Sequence, residues 1–375
     1  MSWLELDTWA RLPFGFWTGV FFVLGTIVGS FLNVCVHRLP LGQSVVTPPS
    51  ACPQCGDRIP WFLNIPILSW LVLRGKCRGC GTKISPRYLL VEALTGALFA
   101  AVWVTRGDLE APLGSGLAAL ALCLMVSGLI VATFIDFEHF IIPDSITLGG
   151  MAAGFLASAA APAIQGATSA PNAMKASVLG IAVGGGLVYA VLRVGKLLFG
   201  RKDYSIPEGQ RAVFGETDLR IGEESIPYED IFYRDSDRVV AEATRVELPD
   251  RCFWDTRVQL TPKELKIGNE TFDPTETGSM ELEALAITIP REAMGFGDVK
   301  FMAAIGAFIG WEATIFSLML SSILGSLVGV GAIVLRRQDW SARIPYGPYI
   351  AAAALVWLFG GDAWMRRFLE TGSLF

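Results

Sequence analysis

Two aspartates and four cysteines are the residues of this 375-residue chain whose types and spacing can do chemistry. Asp136 closes an apolar run in ATFIDFEHFIIPD, and Asp298 opens another in MGFGDVKFMAAIGAFIGW, 162 positions later. An ionisable side chain at the edge of a membrane-directed segment is expensive, so it is a functional hypothesis by default. Two carboxylates brought close together cannot both ionise easily and share a proton. One can then act as general base on a water while its protonated partner polarises a carbonyl. That is aspartyl protease chemistry, and it needs no Ser or Cys nucleophile and no catalytic metal. Simpler roles compete: Asp298 can cap a helix beginning at Val299, and Asp144, after Pro143, can cap one beginning near Ser145. Asp136 has no such role, because a negative charge at a helix C-terminus opposes the dipole. Gly295 and Gly297 offer positive φ and close backbone approach, which a cap does not require. Lys300 marks the cytoplasmic end of the same helix. The two histidines, His37 and His139, are too few for a metal-hydrolase cluster.

Cys52 and Cys55 form one Cys-x-x-Cys pair and Cys77 and Cys80 a second, with 21 residues between the pairs. Four thiolates so arranged suit one tetrahedral Zn²⁺, and a site filled by four cysteines has no open position, so the metal is expected to be structural. Disulfides are the competing reading, disfavoured for a loop on the reducing side of the membrane. The connecting WFLNIPILSWLVL is too short to span a bilayer and is broken by Pro66. It suits the membrane interface. Cys35, Cys123 and Cys252 are isolated and read as packing residues.

These residues sit in a strongly apolar chain. Hydrophobic residues make up 52% and charged ones 17%, with a mean hydropathy of +0.49. This predicts a polytopic α-helical membrane protein of about eight spans, near 14–36, 88–105, 114–135, 145–162, 177–199, 299–310, 312–335 and 346–360. The sixth is short, with uncertain ends. Glu5 and Asp7 against a single Arg11 are the wrong charge pattern for a cleaved signal peptide. The loop from His37 to Arg87 holds seven Lys or Arg residues against Asp57 alone, which places it in the cytoplasm. Counting crossings from there puts Asp136, Asp298 and the basic segment with Arg336, Arg337 and Arg343 on the cytoplasmic side. Arg366 and Arg367 run against that parity.

Residues 201–290 break the pattern, with 20 acidic and 11 basic side chains and no span. Alternating runs such as RVVAEATRVEL, and Gly268-Asn269 between two short apolar stretches, predict a small, mainly β cytoplasmic domain with a hairpin. Its acidity argues against nucleic acid or anionic headgroups as partners. It is a solvated insertion or a docking module for substrate or partner. The domain reading is thus 1–36 with the first span, 37–87 the cysteine loop, 88–200 spans two to five, 201–290 the insertion and 291–375 the final spans.

The ordered blocks GSFLNVCVHRLP (29–40), the paired cysteines around NIPILSWLVLRGKC, ISPRYLLVEALTG (84–96), DFEHFIIPD (136–144), GFGDVKFMAAIGAFIGW (295–311) and IPYGPYIA (344–351) resemble the bacterial type IV prepilin peptidases, membrane aspartyl proteases of the GxGD kind. The likeness leaves out only the leader, 201–290 and the extreme C-terminus. It implies an inner-membrane enzyme that removes the short basic leader of prepilin or pseudopilin precursors just before an apolar helix, with Asp136 and Asp298 as the catalytic pair. It also implies N-methylation of the new terminus with S-adenosylmethionine, for which no donor residues are named. Leu89 stands where the family pattern has Pro, and the insertion replaces a short connection. The rivals are a GxGD protease cutting other membrane helices, against which the cysteine loop and IPD element argue, and a zinc-stabilised transporter or scaffold. Carboxylates in pumps usually sit nearer mid-span.

Overall fold

The computed structural model describes residues 12–206, 210–222, 224–228, 231–232, 235, 237–275, 277–290, 295–335 and 344–371. Glu5, Asp7, Arg11, Arg336, Arg337 and Arg343, used above for orientation, lie outside them. The chain forms two compact units, one of residues up to Tyr189 together with those from Phe296 onward, the other of Ala190–Gly295.

The first unit is helical: α1 (Phe14–Arg38), a short α2 (Leu68–Val72), α3 (Arg87–Arg106), α4 (Pro112–His139), α5 (Asp144–Ala160), most of α6 (Ala170–Phe199), α7 (Phe296–Val334), α8 (Gly347–Val356) and α9 (Asp362–Thr371). Five of these, α1, α3, α4, α6 and α7, are long and apolar enough to cross a membrane. The expectation of eight differs at three places. α5 has 17 residues and α8 has 10, and α7 runs across two predicted spans without a loop.

That continuity is only nominal. Gly310 has non-helical angles, φ 80° and ψ 179°. A methyl placed on Gly184 of α6 would stand 2.7 Å from the Met302 carbonyl oxygen and 2.9 Å from Thr314 Cγ2. Along a straight helix those two residues would be about 18 Å apart, so the chain doubles back at Gly310. The first limb, which carries Asp298, is apolar around most of its circumference and is correspondingly buried at Val299 and from Phe301 to Phe308, with Lys300 partly exposed. It presses so closely on α6 that a β-carbon on Gly180 would lie 2.0 Å from the Gly306 carbonyl oxygen.

The turn from α4 to α5 sets the other half of the arrangement. Phe140 adopts a left-handed conformation (φ 55°), and its amide closes α4 on the Asp136 carbonyl at 3.0 Å. Pro143 is extended and α5 starts at the next residue. A proline disfavours helix in the residue before it, so four residues, Phe140 to Pro143, suffice to reverse the chain and leave Asp136 and Asp144 at the same end.

The second unit is an antiparallel sheet from β1 (Arg201–Ser205) to β9 (Met280–Pro290). With β2 (Ala212–Phe214), β3 (Asp218–Ile221), β4 (Glu224–Pro227), β5 (Val239–Glu247), β6 (Cys252–Leu260), β7 (Leu265–Ile267) and β8 (Glu270–Phe272) between them, the strand order is β4-β3-β2-β9-β5-β6-β7-β8, and β1 pairs with the far end of β9. The predicted strand around RVVAEATRVEL is β5 (Val239–Glu247), whose buried positions alternate at Val239, Ala241 and Ala243 and then change phase to Val246, where the register with β9 shifts. The predicted hairpin joins β7 (Leu265–Ile267) to β8 (Glu270–Phe272), with Gly268 at φ 61° taking the turn. Leu219, Ile231, Leu282 and Ile287 form its fully buried core. On its surface Arg211 pairs with Glu247, Glu281 and Glu283, neutralising part of the acidic excess.

Candidate active site and metal centre

Asp136 lies in the last turn of α4 and is 5% exposed, and Asp298 lies in the first turn of α7 and is 8% exposed. The Gly347 amide, opening α8, donates to Asp136 Oδ2 at 2.8 Å. A β-carbon on Gly347 would stand 2.9 Å from that oxygen and 3.2 Å from Ile142 Cδ1. Gly297, the neighbour of Asp298, faces the same residue, with its β-carbon position 3.4 Å from Ile142 Cβ. Buried Ile142 is therefore the common wall between the partner of Asp136 and the residue before Asp298. Gly297 serves here by close approach, not by a left-handed backbone. Gly295 immediately precedes α7.

The capping roles open at the sequence level do not hold. α7 starts at Phe296, two residues before Asp298, so this carboxylate sits inside the first turn. For α5 the cap position is Pro143, and no side chain caps it. Asp144 instead accepts from Lys300 Nζ at 2.5 Å, and that ammonium also stands 5.3 Å from the Phe296 ring centroid. Lys300 therefore ties the start of α7 to the start of α5 and does more than mark a helix end. Arg87 pairs with Glu138 and draws the start of α3 to the end of α4.

Gly347 and Ile142 received no role from the sequence. The Gly-Pro pair that opens α8 is a helix-start signal, but nothing local says that its amide reaches α4. The hydroxyl of the preceding Tyr346 lies 2.8 Å from Ser321 Oγ and 3.1 Å from Ser322 Oγ, anchoring this turn to the returning limb of α7.

The four cysteines converge as their spacing predicts. All four Sγ atoms lie within 4.8 Å of one another, with Cys52–Cys80 at 3.8 Å and Cys55–Cys77 at 3.9 Å. A tetrahedron of sulfurs about 2.3 Å from zinc has edges of about 3.8 Å, so the donor set fits a metal ion of that size. Each pair is built alike. The Cys52 amide bonds the Asp57 carbonyl and the Gly56 amide the Cys52 carbonyl, and Cys77, Thr82 and Gly81 repeat both bonds. Gly56 and Gly81 share a left-handed φ near 71° and 72°, a signal present in the sequence as a glycine after each pair. Within the cluster the thiols hold their protons unequally: the Thr82 hydroxyl, then its amide, holds Cys80 down to about 6, whereas Cys55, despite the lowering bond from the Asp57 backbone, is pushed up to about 12 by its neighbouring thiols. Between the pairs, Leu68, Leu71 and Val72 are exposed, as an interfacial segment requires. Buried Glu92 of α3 accepts from the Ile67 amide at 2.6 Å, at a residue whose φ is positive (64°) with ψ −55°.

Comparison with known proteins bears on the whole chain. Residues 23–106 match the Bacterial Peptidase A24 N-terminal domain, and residues 123–215 with 281–330 match the Type IV leader peptidase family. The gap between the last two segments falls within the β unit. A protein of Aeromonas hydrophila named prepilin leader peptidase/N-methyltransferase is 29% identical, over 98% of this chain and 98% of its own length. One of the same name from Pseudomonas aeruginosa is 27% identical, over 93% and 92%. A third, from Myxococcus xanthus, reaches 51% identity over 36% of this chain and 38% of its own. No solved structure matches. The two family models cover the segments carrying the cysteine pairs, Asp136 and Asp298, and together they span more than half of the residues: the chain belongs to the type IV leader peptidase family.

Proposed function

We propose that this protein is a membrane aspartyl endopeptidase that removes the leader from type IV prepilin or pseudopilin precursors, with Asp136 and Asp298 as its catalytic pair at the cytoplasmic face of the inner membrane. The observation that carries the assignment is the meeting of the two helix ends around Ile142, with one carboxylate bonded to the Gly347 amide. In this reading one aspartate takes a proton from water as the water attacks the scissile carbonyl. The other, protonated, donates to the carbonyl oxygen, and the proton taken from water passes to the leaving amine as the C–N bond breaks. The Gly347 amide stabilises and orients the carboxylate of Asp136, and the Lys300–Asp144 pair fixes the start of α7 beside it.

The cysteine cluster is proposed to hold Zn²⁺ as a structural ion, shaping the loop between α1 and α3. The relatives' name extends the proposal to N-methylation of the new terminus, for which S-adenosylmethionine would supply the methyl group. Two cavities of the helical unit, one against Phe155, Met174 and Val178 and one between α1, α4, α5 and α7, are lined almost wholly by apolar side chains. They do not fit an adenosyl group with its charged tail, so no residue is assigned to the donor.

Co-expression with a pilin precursor tests the central claim. The parent chain is expected to yield the shortened product, and Asp136→Ala and Asp298→Ala to leave the precursor intact. Undiminished cleavage by either variant would overturn the pair.

A further inference from the structure

Beside the two aspartates the helical unit has an unfilled apolar groove of about 240 Å³, walled by α1, α4, α5 and the first limb of α7. Its floor begins close to the candidate site. Val131 is five residues, about 7.5 Å of helix, before Asp136, and Phe301 is three residues, about 4.5 Å, after Asp298. From there it runs along α4 to Leu124 and along α5 from Ser145 to Ala153. The α5 side is lined by small residues, and a β-carbon on Gly149 would meet nothing within 4 Å. The lip on α1 is Phe31, which is 50% exposed, and that on α4 is Leu124, 54% exposed.

We propose that this groove receives the apolar segment following the scissile bond of the substrate, entering sideways from the bilayer between α1 and α5. The proposal rests on the processing function argued above. A bond cut at Asp136 and Asp298 must be followed by a chain leading away from them, and an apolar chain needs a path that water does not fill. The groove begins within about one and a half helical turns of those carboxylates, is lined by apolar residues apart from Ser127 and Ser145, and is open on one side. Small residues on its α5 wall let another helix backbone approach closely, which is how helices associate where lipid removes the hydrophobic driving force. Its length of about 10–12 Å along α5 and α7 matches about two helical turns. An acyl chain of a lipid is the competing occupant, and the test separates the two.

The experiment uses the full chain in membrane vesicles with an intact precursor, after confirming that the parent chain cleaves it. A photoreactive phenylalanine analogue replaces Leu124, and as control Val104 of α3, which is 55% exposed and lies outside the groove. Adducts from position 124 that map to the apolar segment of the precursor, absent from position 104, are expected. In parallel Gly149→Phe fills the groove from a position with free space. It is expected to raise KM about tenfold while kcat and the folded fraction stay unchanged, the signature of lost ground-state binding. Adducts to lipid alone, equal adducts at both positions, or an unchanged KM would overturn the groove assignment while leaving the peptidase intact. A parent chain that fails to cleave the precursor would instead overturn the processing function, and the groove's occupant with it.

Discussion

The hydrogen bond from Gly347 to Asp136 can be tested by adding a single methyl group. In Gly347→Ala the new carbon would stand 2.9 Å from Asp136 Oδ2, where ordinary contact begins at 3.4 Å, so the carboxylate or the start of α8 must give way by about half an ångström. A misplacement of about 1 Å at a reacting group costs on the order of a hundredfold in rate, so half of that costs about tenfold. The bond from the Gly347 amide to a carboxylate is worth about 1.5–3 kcal/mol, and losing part of it adds up to another decade. Gly347→Ala is therefore expected to lower kcat of the folded protein about 10–100-fold with KM little changed, and to cost stability by overpacking on the order of 1–3 kcal/mol, as Gly154→Ala does. The assay is time-resolved cleavage of a precursor by purified protein, with the folded fraction measured alongside. Gly154→Ala is the comparator, because its methyl would lie 2.7 Å from Ala307 Cβ, away from both aspartates. It is expected to cost stability by overpacking, about 1–3 kcal/mol, while the surviving folded protein keeps its kcat. An unchanged kcat in Gly347→Ala, or an equal loss of kcat in folded Gly154→Ala, would refute the argument that this amide places Asp136.

Three further outcomes are expected. Asp136→Asn keeps an oxygen to accept from Gly347 and Asp298→Asn keeps the side chain's shape, so both should fold yet lose about 10²–10⁴-fold in cleavage rate; retained activity in either removes that residue from the mechanism. Cys52→Ser should reduce zinc bound per chain, as metal analysis of purified protein would show, and full retention of one ion would refute the cluster as its site. The Lys300–Asp144 pair is partly exposed, so a double-mutant cycle with Lys300→Ala and Asp144→Ala should give a coupling energy below about 1 kcal/mol. A coupling well above that would mean the pair is structurally essential and not merely a guide for α7.

What was legible in the sequence was whatever depends on neighbours in the chain. Apolar run lengths located the helices to within a few residues, except at α6, which begins seven residues before its predicted span. Period-two patterning located β5 and the Gly268-Asn269 pair located the β7–β8 hairpin, while the shorter strands β1 to β4 were not placed, and the spacing of the cysteines announced a common centre. The reversal in α7 falls at the break between the predicted spans ending at 310 and starting at 312, where Gly310 and the charged Glu312 flank Trp311. The capping roles of Asp144 and Asp298 were wrong because they were local explanations. Lys300 reaches across from another helix to claim Asp144, and Asp298 is placed by a helix that starts earlier than the apolar pattern suggests.

The sequence alone thus determined that two carboxylates stand at the ends of membrane helices and that four thiols share one loop, since burial cost and ligand spacing are properties of short stretches. Only the tertiary structure decided what surrounds them. The Gly347 amide on Asp136, the Ile142 wall shared with Gly297, and the apolar groove leading away between α1 and α5 are all made by segments distant in the chain. Their contacts depend on how helices pack, and close packing is set by small residues meeting across an interface, which no single stretch of sequence specifies.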